Sequence, residues 1–166
     1  LKNNQPLQLT YICTHNSRRS HFGQVWASVA GVYYKKQVIA YSGGTEATAF
    51  NINAINAIKR IGFKITQSAD IINPRYQLKF GDDEKIIECF SKVYNNPVNP
   101  QTEFAAIMTC SDAEENCPFI PGVDFRIATT YDDPKVSDNT PLQDDTYDER
   151  CRQIAREVFY VFSKLN

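Results

Sequence analysis

Eight consecutive residues near the start, Cys13-Thr14-His15-Asn16-Ser17-Arg18-Arg19-Ser20, put a thiol and two guanidiniums into one polar loop. The chemistry this suits is attack by a thiolate on a tetrahedral oxyanion. Backbone N–H groups of a loop that leads into a helix, here Thr14 to Ser17, are free to hold such an anion, and a helix N-terminus also stabilises a thiolate. Arg19, six positions after Cys13, is placed to curl back and offer a planar two-pronged donor to two oxygens, which lysine does less well. Ser20 is placed to hydrogen-bond the cysteine sulfur, and Asn16 to fix the loop through its side chain. Arg18, and His15 when protonated, add positive potential. On spacing alone, a buried strand-end cysteine beside solvated arginines reads similarly, so the surrounding elements carry weight.

Those elements form a strand–loop–helix unit. Gln8 to Ile12 alternates partly apolar and polar and ends at Cys13, and Phe22, Val25, Trp26, Val29 and Ala30 recur at helical spacing after the loop. Gln37 to Ser42 reads as a second strand closed by Gly43-Gly44. Ile52, Ile55, Ile58 and Ile61 predict a helix with Thr48 or Asn51 as its cap and Gly62 as its stop. Residues 71–104 read as a hairpin insertion, with strands over Tyr76 to Phe80 and Ile86 to Val93 around Gly81-Asp82-Asp83. Ala105 to Thr109 is a buried strand running into Cys110, Ile127 to Tyr131 a last strand, and Thr146 to Leu165 a long amphipathic helix. Short strands alternating with helices predict an α/β fold, an open parallel sheet with helices on both faces, in a single domain over 1–166. Ligands of such sheets sit beyond the carboxyl ends of the strands, where Cys13 falls.

The chain has 166 residues, 42% of them hydrophobic, and 18 basic against 19 acidic side chains for a net charge of -1. That balance argues against nucleic acid or an anionic membrane as the main partner. No apolar run approaches a membrane span and no segment resembles a secretory signal, so a soluble cytoplasmic protein is expected. Five cysteines, an odd number in a chain too long to need disulfide staples, read as thiols in a reducing compartment. Cys89 and Cys151, with no motif around them, read as structural; His21 reads as a surface or capping group at the helix start. Asp144, Asp145, Asp148 and Glu149 read as a solvated helix entrance.

At this point the sequence resembles a known family: the low-molecular-weight protein tyrosine phosphatase fold (phosphotyrosine phosphatase I-like) and, within it, the thioredoxin-coupled arsenate reductases. The Cys13–Ser20 segment carries the match together with Tyr41-Ser42-Gly43-Gly44-Thr45-Glu46 and Cys110-Ser111-Asp112-Ala113-Glu114-Glu115-Asn116-Cys117-Pro118. Asp132-Asp133-Pro134, which alone would be an acidic turn, looks like the family's acid-bearing loop. The paired Cys110 and Cys117 resemble the reductases in particular. His15 and Arg18 depart from their usual glycine and cysteine, and the 71–104 region is longer than expected.

The resemblance implies an arsenate reductase in which Cys13 attacks arsenate held by the loop and Arg19, Asp133 protonates the departing oxygen, and Cys110 and Cys117 complete a disulfide relay reduced by thioredoxin. No cofactor is required; some relatives hold a structural potassium ion, for which Asn16, Ser42 and Asp70 are the corresponding residues, with Gln24 where a glutamate is expected. If Cys110 and Cys117 were joined by continuous helix they would stand about 10 Å apart along its axis, beyond the roughly 7 Å reach of a disulfide, so the segment must bend or unwind. Without the relay, the same loop would serve a tyrosine or small phosphomonoester phosphatase acting through a phosphocysteine. Against phosphotyrosine, Lys135 and Val136 rather than aromatic residues follow Asp133-Pro134, with Tyr131 as partial compensation. A third reading is a non-catalytic oxyanion sensor with a redox switch.

Overall fold

The computed structural model describes residues 5–81, 85–116 and 119–165. In chain order the elements are β1 (Leu7–Cys13), α1 (Arg19–Tyr33), β2 (Val38–Gly44), α2 (Ile52–Arg60), β3 (Lys64–Gln67), β4 (Tyr76–Lys79), β5 (Ile87–Cys89), β6 (Phe104–Met108), α3 (Ser111–Asn116), β7 (Val123–Ala128) and α4 (Gln143–Phe162). The main sheet is parallel in the order β2-β1-β6-β7. The chain therefore builds outward from β1 first one way and then the other, and the crevice this leaves beyond the carboxyl end of β1 holds the Cys13 loop.

Alternation along the buried strands sorts side chains to two faces. Leu9, Tyr11, Ala105 and Ile107 join Phe22, Val25, Ile58, Tyr147 and Ile154 in one core, so α1, α2 and α4 cover that face. Ile12, Phe104, Ala106 and Met108 point the other way and cluster with Cys110, Ala113 of α3 and Ile120, a cluster that Cys13 joins at the strand end. Helices lie on both faces, as expected, but the second is covered by only one short helix and loop. Gly23 brings α1 close to β1: a Cβ there would stand 2.2 Å from the Tyr11 ring.

The helix over 52–60 starts and stops for the expected reasons. The Asn51 side chain accepts from the N–H groups of Asn53 and Ala54, and Gly62 takes a positive φ of 111°. The expected hairpin forms between β4 and β5, with β5 covering only Ile87–Cys89 of the expected Ile86 to Val93, and β3 extends it to an antiparallel sheet of order β3-β4-β5. Two expectations are corrected. The last strand lies earlier than Ile127 to Tyr131, at Val123–Ala128; it is an edge strand with Phe125 and Ile127 exposed, so burial left no pattern to read. The acidic start of α4 is not merely solvated: Arg60 of α2 grips Asp148 at 2.7 Å and Asp144 at 3.3 Å. Among the described residues no helix is long and apolar enough to cross a membrane.

Candidate functional site

The backbone of the loop is turned with its carbonyls outward. Cys13 O and Thr14 O accept from the N–H groups of Thr45 and Glu46, His15 O from the hydroxyls of Ser91 and Thr48, and Ser17 O from Asn51 N–H. Among the described residues no protein acceptor takes the N–H groups of Thr14, His15, Asn16, Ser17 or Arg18, so a run of donors is left for an anion. Asn16 makes the turn with φ at +45°, a conformation asparagine tolerates better than most residues. Gly44 permits the closeness of loop and β2: a Cβ there would meet Glu46 O at 2.1 Å and Asn16 N at 2.7 Å.

Side chains fix the same geometry from behind. Asn16, fully buried, donates from Nδ2 to Ser20 Oγ at 2.8 Å and accepts the Lys92 backbone N–H at 2.9 Å. Ser20 Oγ lies 3.1 Å from Cys13 Sγ; because its oxygen already accepts from Asn16, its hydrogen is free to point at the sulfur. Ser17 Oγ is spent on Ala49 O at 2.8 Å, tying the loop to the approach of α2.

The acid-bearing loop reaches this cradle through arginine. Arg19 donates from Nη1 to Tyr131 O and from Nη2 to Asp133 Oδ2, both at 2.8 Å, while its Nε is buried without a partner. The fork expected to grip an anion is thus held by the Asp133 loop. Arg18 turns away from the cradle, with Nε donating to Tyr147 Oη at 2.7 Å and lying 3.8 Å from Asp133 Oδ1, and Nη2 on Asp138 at 3.4 Å. His15 stands on the exposed rim, 3.6 Å from Glu46.

Cys13 is the last residue of β1 and Cys110 lies just past the end of the neighbouring β6, and both are buried in one cluster. Thr14 connects them: its Oγ1 donates to Asp112 Oδ2 at 2.6 Å and lies 3.4 Å from Cys110 Sγ. The sequence reading missed this link, although a threonine directly after the nucleophile and an aspartate two after Cys110 were its signal. Cys117, the third expected thiol, lies outside the described residues, as does Pro118.

Other groups stand elsewhere than expected. His21 is fully buried, stacked on Phe50 at 3.9 Å with Nδ1 3.2 Å from Ser42 Oγ, and desolvation followed by the Lys92 charge pushes its pKa well below the usual value. Tyr131 is turned into the core, donating to Glu157 at 2.7 Å, so it forms no wall for a substrate ring. Cys89 and Cys151 fit the structural reading, since burial pushes both thiols up to about 12. Asn16 Oδ1 is taken by Lys92 N–H, Ser42 Oγ donates to Gln24 at 2.6 Å, and Asp70 is exposed with its carboxylate accepting from its own turn.

The fold and the loop define a class. The solved structure of an arsenate reductase in the phosphate-binding state overlays with a TM-score of 0.64 across 96% of this chain and 99% of that one, at 15% identity. A low-molecular-weight protein tyrosine phosphatase from T. tengcongensis gives the same TM-score and coverage at 13% identity. This is the low-molecular-weight phosphatase fold. No family model matches the chain. In sequence it is 31% identical to an arsenate reductase of Staphylococcus aureus (strain Newman) over 130 residues, covering 75% of this chain and 76% of the relative. With an arsenate reductase of Bacillus subtilis (strain 168) the identity is 29% over 143 residues, 86% and 84% of the two chains. The chain belongs to the arsenate reductase family of enzymes.

Proposed function

We propose that the protein reduces arsenate through Cys13, with Cys110 and Cys117 as a disulfide relay and thioredoxin as the reductant. The observation that carries this reading is the placement of Cys110 beside the anion loop, joined to it through Thr14. Arsenate binds the free N–H groups of the loop, and its charge draws the Arg19 fork from Asp133. Cys13 thiolate forms a bond to arsenic as one oxygen leaves as water, its proton supplied by Asp133. Cys110 thiolate then attacks Cys13 Sγ; the sulfur–arsenic pair stays on arsenic, which departs as arsenite, and a Cys13–Cys110 disulfide remains. Cys117 thiolate attacks Cys110 and frees Cys13. The Cys110–Cys117 disulfide takes two electrons and two protons from the thioredoxin dithiol.

The last exchange asks α3 to unwind. Ala113 is the one buried residue of its six, and the other ties are polar: Asn116 to Asp112 at 2.9 Å, Thr14 to Asp112 at 2.6 Å, and Arg126 to the Glu114 carboxylate at 2.9 Å and to its backbone carbonyl. The inward turn of Tyr131 and the non-aromatic Lys135 and Val136 favour a small oxyanion over a phosphotyrosine ring. The test is steady-state arsenate turnover with thioredoxin, thioredoxin reductase and NADPH beside aryl phosphate hydrolysis. Arsenate turnover is expected in the wild type and in neither Cys13→Ser nor Cys110→Ser. Aryl phosphate hydrolysis lost only in Cys13→Ser, with no arsenate turnover, would make the protein a phosphatase; inactivity in both assays would leave an oxyanion sensor.

A further inference from the structure

Among the described residues Lys92 is a buried ammonium without a counter-ion. It is 5% exposed, its Nζ reaches only Phe90 O at 3.4 Å, and it lies 4.5 Å from the centre of the Phe90 ring. Glu88, the carboxylate that acts on it electrostatically, is half-exposed and already paired with Arg75 at 3.2 Å. Burial lowers the Lys92 pKa to about 8, which still leaves the group mostly charged near neutral pH. A desolvated charge with donors to spare is costly unless something pairs with it.

Lys92 stands in the wall of a cleft of about 500 Å³ between the free edge of β2, the insertion sheet and the end of α1. Small-ligand sites have this size and are largely apolar with a few placed polar groups. Val38, Ala40, Phe80 and Ile87 supply apolar wall here. Lys35, Lys36 and Lys85 line the same cleft, against Glu88 as the one acidic lining residue among those described. Asn99, also in the lining and 4% exposed, keeps a buried Oδ1 with no partner. The cleft is separate from the anion loop: Lys92 gives its backbone N–H to Asn16 and its side chain to the cleft.

We infer that this cleft is a second binding site, for a small organic anion whose carboxylate, sulfonate or phosphate pairs with Lys92 while its apolar body lies against Val38, Ala40 and Ile87. Inorganic phosphate or arsenate alone would leave those walls uncovered, so the ligand is amphipathic.

The probe is anilinonaphthalene sulfonate, titrated by fluorescence into the full chain, with the uncharged N-phenylnaphthylamine beside it. Saturable one-site binding of the sulfonate is expected, weakened roughly tenfold or more by Lys92→Met and weakened also by Lys35→Glu with Lys36→Glu. The uncharged probe is expected to bind wild type and Lys92→Met alike, which shows the cleft intact in the variant. Excess phosphate and Cys13→Ser are expected to leave sulfonate binding unchanged. Non-saturable binding, equal sulfonate affinity in Lys92→Met, or displacement by phosphate would each overturn the assignment.

Discussion

The two cysteines at the ends of neighbouring strands of the main sheet are supported in opposite ways. Behind Cys13, Asn16, Ser20, His21 and Ser42 are all fully buried and joined by hydrogen bonds or ring stacking. Behind Cys110, α3 is one short helix with a single buried side chain, next to an exposed edge strand. An anion cradle must hold its N–H groups in place before the substrate arrives, because donors that reorganise during reaction stabilise it less. A thiol that hands its disulfide onward must move. The difference teaches that one side is built for position, while the other, in the proposed relay, is the side that would travel.

The largest break in that contrast is Asn16→Ala. It leaves the Lys92 N–H and Ser20 without their buried partner and puts alanine at a positive φ; we expect a loss of roughly 2–4 kcal/mol in stability and a large fall in turnover. Chemical denaturation and steady-state rates check it. Asn16→Asp, which keeps an acceptor for Lys92, is expected to recover part of the stability.

The rigid side also carries a pH cost. His21 has a folded pKa well below its ordinary 6.5 because it is buried, so below that value the unfolded chain binds a proton that the folded chain does not. Stability is therefore full above about pH 6.5 and lost as pH falls, by up to about 1.4 kcal/mol per pH unit until the folded group titrates. Urea denaturation between pH 7 and pH 5 should show a steeper loss in wild type than in His21→Gln; equal slopes would mean that His21 is not held neutral.

Much of the rigid side was legible because its causes are local. Cys13, Ser20 and Arg19 are set by spacing within one loop, and α2 by Asn51 before it and Gly62 after it. What escaped depends on distant partners. His21 looked like a helix-start polar group until Phe50 and Ser42, far along the chain, enclosed it. Arg18 looked like part of the cradle, but Tyr147 and Asp138 from the far end of the chain claim its guanidinium. β3 has an exposure pattern with no buried face, so Lys64–Gln67 becomes a strand only through pairing with β4. The loose side was harder to place for the same reason, since edge and surface elements leave little apolar periodicity.

Between the two sides stands Thr14, and severing it sharpens the comparison. Thr14→Val removes the bond to Asp112 and the contact to Cys110 while keeping the shape; at this partly exposed position the cost is about 1 kcal/mol. If Thr14 aligns Cys110 with Cys13, arsenite release in a single turnover slows while binding of phosphate to the loop does not. Equal slowing of both would make Thr14 part of the cradle rather than the link.

The smallest effect belongs to Asn116→Ala, which removes the side-chain bond to Asp112 within α3. One exposed i,i+4 pair on a helix is worth roughly 0.2–0.5 kcal/mol, so global stability should barely change. Amide exchange within 111–116 should quicken, while that of β1 and the Cys13 loop stays as in the wild type. The functional sign separates the two readings of α3. If unwinding limits the transfer from Cys110 to Cys117, loosening the helix speeds thioredoxin-dependent turnover slightly; if the folded helix is what presents Cys110 to Cys13, the same change slows it. A mobile segment that serves a disulfide exchange should give the first result, because its buried contact, Ala113, is untouched by the substitution.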